Sequence, residues 1–435
     1  MVRSKSLLAL LVICGLLTFA PVNAEERPES LADRLGIDVH GFVDLRAGTR
    51  LSEDAYERDM SLLESRFQLD LSRIGDIATF QVRADFLYDD IREETDLDLE
   101  NGSGFIDLRE ANVLFSPFDF MDAKIGRQIL TWGTGDLLFV NDLFPKDWKS
   151  FFCGRDEEYL KAPSDALFVS VFPNFANIDL VYIPGFDSDR FITGERLSYF
   201  NSTLGRRAGR DAIVKTLKPD EWFEDYEVSL RVSKDIAGYE LAFYAYNGFW
   251  KSPMGMDPYM RKAIFPDLAV YGGSLQGRLK DGIFSLETAY YDSEDDRKGN
   301  NSFVPNSEIR LLAGYEQELA RNLSAAFQYY IEYMQEHDRY LAALPTGHHA
   351  NEKDRHVITL RLTKLAVSQN LTLSFFCYYS PSDKDAYFRP NLKYKLSDSL
   401  MITAGGNIFS GSYDYTFFGQ FEKNSNVYAG IRYSF

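Results

Sequence analysis

From residue 37 to the end of the chain, hydrophobic and polar positions alternate in short runs separated by turn residues. Residues 63–72 read Leu-Glu-Ser-Arg-Phe-Gln-Leu-Asp-Leu-Ser. Residues 73–76 then turn the chain, and the return places Phe80, Val82, Ala84, Phe86 and Tyr88 on one face. A period of two belongs to a strand whose two faces meet different surroundings. Similar hairpins centre on Lys280-Asp281-Gly282, Arg321-Asn322 and Ser397-Asp398, where turn-forming residues sit between alternating runs. The pattern predicts about eighteen strands. In the first half they fall near 37–49, 62–73, 77–89, 104–115, 121–132, 165–172, 176–184, 225–234 and 237–247. In the second half they fall near 268–279, 282–292, 307–318, 321–334, 354–365, 369–380, 385–396, 399–410 and 425–435. A count of roughly sixteen is the alternative, because 163–184 is short and alternates weakly. Short connections follow every second strand and long ones follow the others. That asymmetry, in an all-β chain, predicts a transmembrane antiparallel β-barrel with both termini on the periplasmic side.

The ends of the chain place this barrel in a compartment. Arg3 and Lys5 precede an apolar run over 7–20, and Pro21-Val22-Asn23-Ala24 supplies small residues for processing. This predicts a signal peptide over 1–24, a short periplasmic segment over 25–36 and the barrel over 37–435. The apolar run is too short for a spanning helix, which needs about 20 residues. At the other end, Val427, Ala429, Ile431, Tyr433 and Phe435 alternate with Tyr428, Gly430, Arg432 and Ser434. This resembles the terminal strand that outer-membrane barrels present to their assembly machinery. The expected location is therefore the outer membrane of a Gram-negative bacterium, with lipid and lipopolysaccharide as surroundings.

Composition narrows the chemistry. Of 435 residues, 34 are Phe and 26 are Tyr, an aromatic content that suits interfacial girdles. A formal charge of −18 argues against nucleic acid as a partner. Cys153 falls in a predicted loop and Cys377 alternates with lipid-facing Leu373 and Phe375, so the two are not expected to pair. The histidines are His40, His337, His348, His349 and His356, and no His-Glu-x-x-His or Gly-x-Ser-x-Gly motif accompanies them. Neighbours such as His348 and His349 point to opposite sides of an extended chain. No enzyme, metal site or cofactor is expected.

If the apolar face meets lipid, the other face lines the interior, because charge at bilayer depth is costly on the lipid side. By that alternation the interior receives Arg66, Arg83, Asp85, Arg109, Arg231, Arg278, Arg310, Arg361, Arg389, Lys393, Lys395 and Arg432, together with Asp44, Glu64, Asp107 and Glu287. Asp107 and Arg109 conflict with Glu110 and Asn112, which make the opposite face of the same strand polar. Two long loops are candidates to fold inward and constrict the opening. Residues 133–164 carry Asp136, Asp142, Lys146 and Asp147, and residues 185–224 carry Arg206, Arg207 and Arg210. Such an interior implies a channel for small polar or anionic solutes. The alternatives are a gated polysaccharide exporter and a structural or adhesive barrel without conductance.

One stretch carries a family resemblance. Leu108-Arg109-Glu110-Ala111 precedes Ile125-Gly126-Arg127-Gln128, then Trp132-Gly133 and Asp142-Leu143-Phe144-Pro145-Lys146-Asp147. This resembles the bacterial outer-membrane porin-like families, including the alginate-export type and related uncharacterised proteobacterial barrels. The resemblance covers roughly these forty residues. It implies an eighteen-stranded or similar single-chain barrel with a charged lumen and inward loops, and it marks Arg109 and Arg127 as lumen residues. The stretch after Gly126-Arg127-Gln128 departs from the alginate-exporter pattern. Arg127 shares its nominal face with Ile125 and Ile129, a parity that a bulge at Gly126 would change.

Overall fold

The structure is a computed structural model that describes residues 34–91 and 96–435. The expected signal peptide and residues 25–33 of the segment expected over 25–36 lie outside the described residues. Eighteen strands form one antiparallel sheet. They are β1 (Asp38–Arg50), β2 (Met60–Ile74), β3 (Ala78–Asp89), β4 (Ile106–Phe118), β5 (Met121–Ile129), β6 (Pro163–Val171), β7 (Asn177–Ile183), β8 (Glu227–Ile236) and β9 (Tyr239–Phe249). There follow β10 (Asp267–Leu279), β11 (Gly282–Ser293), β12 (Glu308–Ala320), β13 (Leu323–Met334), β14 (Asp354–Ala366), β15 (Leu371–Ser380), β16 (Asp385–Lys395), β17 (Leu400–Gly411) and β18 (Asn426–Ser434). Each strand pairs with the next, and β1 pairs with β18, Val43 facing Tyr433 and Asp44 facing Arg432. The sheet is closed and leaves no free edge. The weakly alternating stretch does form two strands, β6 and β7.

Alternation explains the wall. Phe67, Phe80, Phe86, Ile125, Phe243 and Phe327 stand exposed on the outer face. A Lys or Arg in their place at mid-membrane would cost about 2–4 kcal/mol. Cys377 keeps the outward parity, Cys153 is buried, and both are free thiols. At one end the strands are joined by short turns, such as Ala237-Gly238, where both residues have positive φ as a two-residue hairpin demands. The start of β1 and the end of β18 lie together at this end, Gly41 exchanging backbone bonds with Phe435. The other end carries the long connections. Two of them matter for the interior: 130–162, which contains the helix α1 (Trp148–Cys153), and 184–226, which contains a small hairpin of Tyr199–Asn201 with Arg206–Ala208.

The interior is not uniformly polar. Strands β9 to β17 turn Tyr246, Leu268, Val270, Leu312, Val357 and Phe409 inward, and these pack with Val140, Phe151, Phe152 and Leu160 of the 130–162 loop. The chain thus builds its hydrophobic core inside the barrel, around a loop. This modifies the expectation of an interior lined by charge alone.

Candidate functional site: the barrel interior and its inward loop

Residues 130–162 cross the interior and meet the wall on many sides. The loop enters past Trp132, which packs edge-on to Phe144 at 5.0 Å. The carboxylate of Glu287 on β11 then gathers four donors from the next turn. Thr134 Oγ1 donates at 2.8 Å, the Gly135 N–H at 2.8 Å and Asn141 Nδ2 at 2.9 Å, and the Thr134 N–H also donates. Further along, the Tyr378 hydroxyl donates to Leu137 O at 2.8 Å and the Tyr291 hydroxyl to Val140 O at 2.7 Å. The wall thereby satisfies backbone carbonyls that a buried loop would otherwise strand.

Charge pairs complete the seam. Asp136 meets Arg361. Asp147 caps α1 through the Ser150 N–H at 2.7 Å and meets Arg190 at 3.4 Å. Past α1, the loop offers four charged residues in a row. Arg155 Nε donates to Glu64 at 2.8 Å. Asp156 takes Lys393 at 2.9 Å, Glu157 takes Arg389 at 3.0 Å and Arg361 at 3.3 Å, and Glu158 takes Arg432 at 3.0 Å. The basic wall cluster expected from sequence is therefore met by carboxylates of the loop itself. Among the described residues, Lys395 stands exposed without an ion-pair partner.

The remaining wall residues form ladders of alternating sign. Arg66, fully interior, bonds Glu64 at 2.8 Å, also pairs with Asp85, and lies 4.0 Å above the Tyr159 ring. The Tyr159 hydroxyl donates to Asp85 at 2.8 Å, fixing the end of the loop to β3. Arg83 joins Asp70 at 2.7 Å and Glu110 at 2.9 Å. Arg109 reaches Lys161 O at 2.5 Å. Arg310 pairs with Glu308 and stacks 3.8 Å over Tyr291, and Arg432 also bonds Asp44 at 2.8 Å. Arg231 pairs with Asp179 at 3.4 Å and with Glu240, whereas Arg278 is exposed near the Lys280 turn.

Two ambiguities of parity resolve on the backbone. Arg83 faces Glu110 while the next residue, Ala84, faces Leu108, so Arg109 is the extra residue of a bulge. One extra residue resets the alternation, and Asp107, Arg109, Glu110 and Asn112 are all buried. Arg127 keeps the parity of Ile125 yet is buried, donating to Leu108 O at 2.6 Å and to Asp165 at 2.9 Å. Beside it Gly126 has a φ of 114°, and a Cβ there would lie 2.3 Å from Ala111 O, so glycine is required. No register shift accompanies Gly126 itself.

In the 133–164 loop, Lys146 Nζ pairs with Asp142 at 2.9 Å inside the barrel. In the 185–224 loop, Arg206 pairs with exposed Asp211, Arg207 with Glu422 and Arg210 with Glu57, all among the long connections. These three arginines stay with the outer connections and do not join the interior seam. Instead Arg190, from the same loop, enters and bonds Asp107 at 2.8 Å. Burial first, and then the nearby Glu227 carboxylate, push Asp187 up to about 7 against the pull of Lys251. Burial likewise pushes Glu57 up to about 7, although Arg50 and Arg210 oppose it.

The fold is shared with Pseudomonas aeruginosa OccK11 (OpdR). The two chains align over 92% of this one and 95% of the other, with a TM-score of 0.52 and 9% sequence identity. A triple mutant of Rhodopseudomonas blastica porin aligns over 92% of this chain and all of its own, at a TM-score of 0.40 and 11% identity, too loose a likeness to carry an argument. No protein-family model matches the chain, and no curated protein matches it.

Strand parity alone does not give the partners within this seam. The signal available was the run Arg155-Asp156-Glu157-Glu158, whose charges complement Glu64, Lys393, Arg389 and Arg432 in turn.

Proposed function

We propose that the protein is an outer-membrane, porin-like channel that passes small polar or anionic solutes through an interior narrowed by residues 130–162. The observation that carries this reading is the ion-paired seam between Asp156, Glu157 and Glu158 and the basic wall of Arg389, Lys393 and Arg432. Glu157 and Glu158 keep nearly half their side-chain surface exposed, so this seam borders open space within the barrel. A hydrated charged passage with carboxylates on one side and guanidinium groups on the other sets which solutes pass. In this reading the short turns and both termini face the periplasm and the long connections face outward. Lipid and lipopolysaccharide surround the wall, and the strand ending at Phe435 engages the assembly machinery. No catalytic role is assigned. OccK11 shares the architecture that this assignment needs.

A gated exporter of polysaccharide, the alginate-export type included, is the second reading. Its support is the number of wall strands that the inward loop grips, since such a loop would have to shift for a polymer to pass. Single-channel recording of the refolded protein under a salt gradient tests both. Open steps with an anion-favouring reversal potential support the channel. Firm cation selectivity overturns the anionic version, and silence in every salt and voltage overturns diffusion.

A further inference from the structure

On the side of the long connections, above the inward loop, lies a cavity of about 850 Å³. Pockets for small organic ligands span about 300–1,000 Å³. Its floor is apolar. Leu137, Leu138, Phe139, Leu143 and Trp148 of the loop pack downward on the buried core but stay half-buried on the cavity side, and Ile192 extends them. Water against such a floor is released favourably when an apolar surface replaces it.

The charges around the floor are already engaged. Lys146 is held by Asp142 and by Phe144 O at 2.6 Å, and Lys251 by Glu227 and by Asp187 O at 3.0 Å. On the strand side, Arg310 pairs with Glu308, while Arg355 pairs with Glu332 at 3.0 Å and Asp383 at 2.6 Å. Two guanidinium groups thus face three carboxylates. A carboxylate solute entering here meets surplus negative charge and finds Lys146, Lys251, Arg310 and Arg355 each bound to a carboxylate, while Lys353, exposed at the rim, lies over the Tyr333 ring, so it would lose hydration without gaining a buried partner. A neutral or cationic molecule does not incur that loss, and the surplus carboxylate favours a cation.

We infer that this cavity is a binding site for a molecule with an apolar body and no net negative charge. The site lies above the ion-paired seam and goes beyond the channel reading, since it concerns what is held there and not whether ions pass. Calorimetric titration of the refolded full-length protein in amphipol tests it with three probes of one shape: cinnamyl alcohol, cinnamylamine and cinnamate. The alcohol and the ammonium are expected to bind at least about tenfold tighter than the carboxylate. Leu138→Glu, in the floor, is expected to weaken the alcohol by a similar factor, because a carboxylate there interrupts the apolar surface that its ring would cover. Met254→Glu, on the exposed rim of the same cavity, repeats the test where folding is not at stake. Cinnamate binding as tightly as the alcohol, no saturable heat with any probe, or an alcohol affinity unchanged in both variants would overturn the inference. Bilayer conductance of the same preparation, present or absent, reports separately on the channel.

Discussion

The guanidinium of Arg361 holds the carboxylate of Asp136 by two parallel bonds, Nε to Oδ2 at 2.6 Å and Nη2 to Oδ1 at 2.8 Å. The two residues are 225 positions apart in sequence, one on β14 and one in the first turn of the inward loop. The planar fork of arginine suits this geometry, and lysine cannot reproduce it. The pair is a clamp between wall and loop, and the same Nη2 also donates to Glu157 at 3.3 Å.

Asp136→Asn keeps the shape of the clamp and removes its charge. Because Arg361 retains about a quarter of its side-chain exposure, the loss of stability should be small, about 1 kcal/mol. The local effect should be larger: a protease added to the folded barrel is expected to cut within 130–162 faster than in the wild type. Equal cutting rates would count against a clamp.

Glu287 is a stronger anchor. Its buried carboxylate accepts from Thr134, Gly135 and Asn141. Glu287→Gln turns an NH₂ group toward those donors and leaves some unsatisfied, at a cost of about 1–3 kcal/mol. The variant should show a lower urea midpoint by the mobility shift between folded and unfolded barrel. A midpoint unchanged from wild type would mean the turn is held elsewhere.

The last residue has a structural task. The Phe435 ring lies over Gly41, where a Cβ would sit 2.6 Å from it, and stacks on Phe67 with centroids 6.0 Å apart. Phe435→Ala should cost about 1 kcal/mol, the order of an aromatic pair, whereas Phe435→Tyr should retain the stack. The two variants are to be compared by unfolding midpoint, and equal losses in both would reject the stacking role.

The wall was legible because lipid enforces alternation: every predicted strand, including the weak pair in 163–184, has its counterpart in β1–β18. Period two fails where the backbone changes it, and the bulge at Arg109 made Glu110 and Asn112 look outward when they are buried within. The apolar core inside the barrel was harder to see. Val270 and Leu312 sit at inward positions that polar-in alternation assigns to water, and their partners Val140 and Phe151 come from a loop far away in sequence. Likewise strand parity turns Arg389 and Lys393 inward, but nothing local to them announces Glu157 and Asp156. Tertiary pairing of charges has no periodicity to read.

Two carboxyls make the long connections sensitive to pH. Asp187 and Glu57 ordinarily titrate near 3.8 and 4.5, and in the folded protein each is pushed up to about 7. A raised carboxyl favours the folded form fully below its ordinary value, and that contribution is lost as pH rises through the folded value. The loops holding them should therefore be tighter at pH 6 than at pH 8. Hydrogen exchange over 51–59 and 184–226 should rise across that interval beyond its ordinary pH dependence, and Asp187→Asn with Glu57→Gln should flatten the excess. A persistent excess in the double variant would assign it to other groups.

Residues 130–162 should narrow a conducting barrel. The direct measurement is single-channel conductance in a planar bilayer for the wild type and for a variant in which 134–161 is replaced by a short Gly-Ser turn, both first shown to be folded barrels. Small, stable steps are expected in the wild type and several-fold larger steps in the variant. Equal conductance, or silence in both, would contradict it.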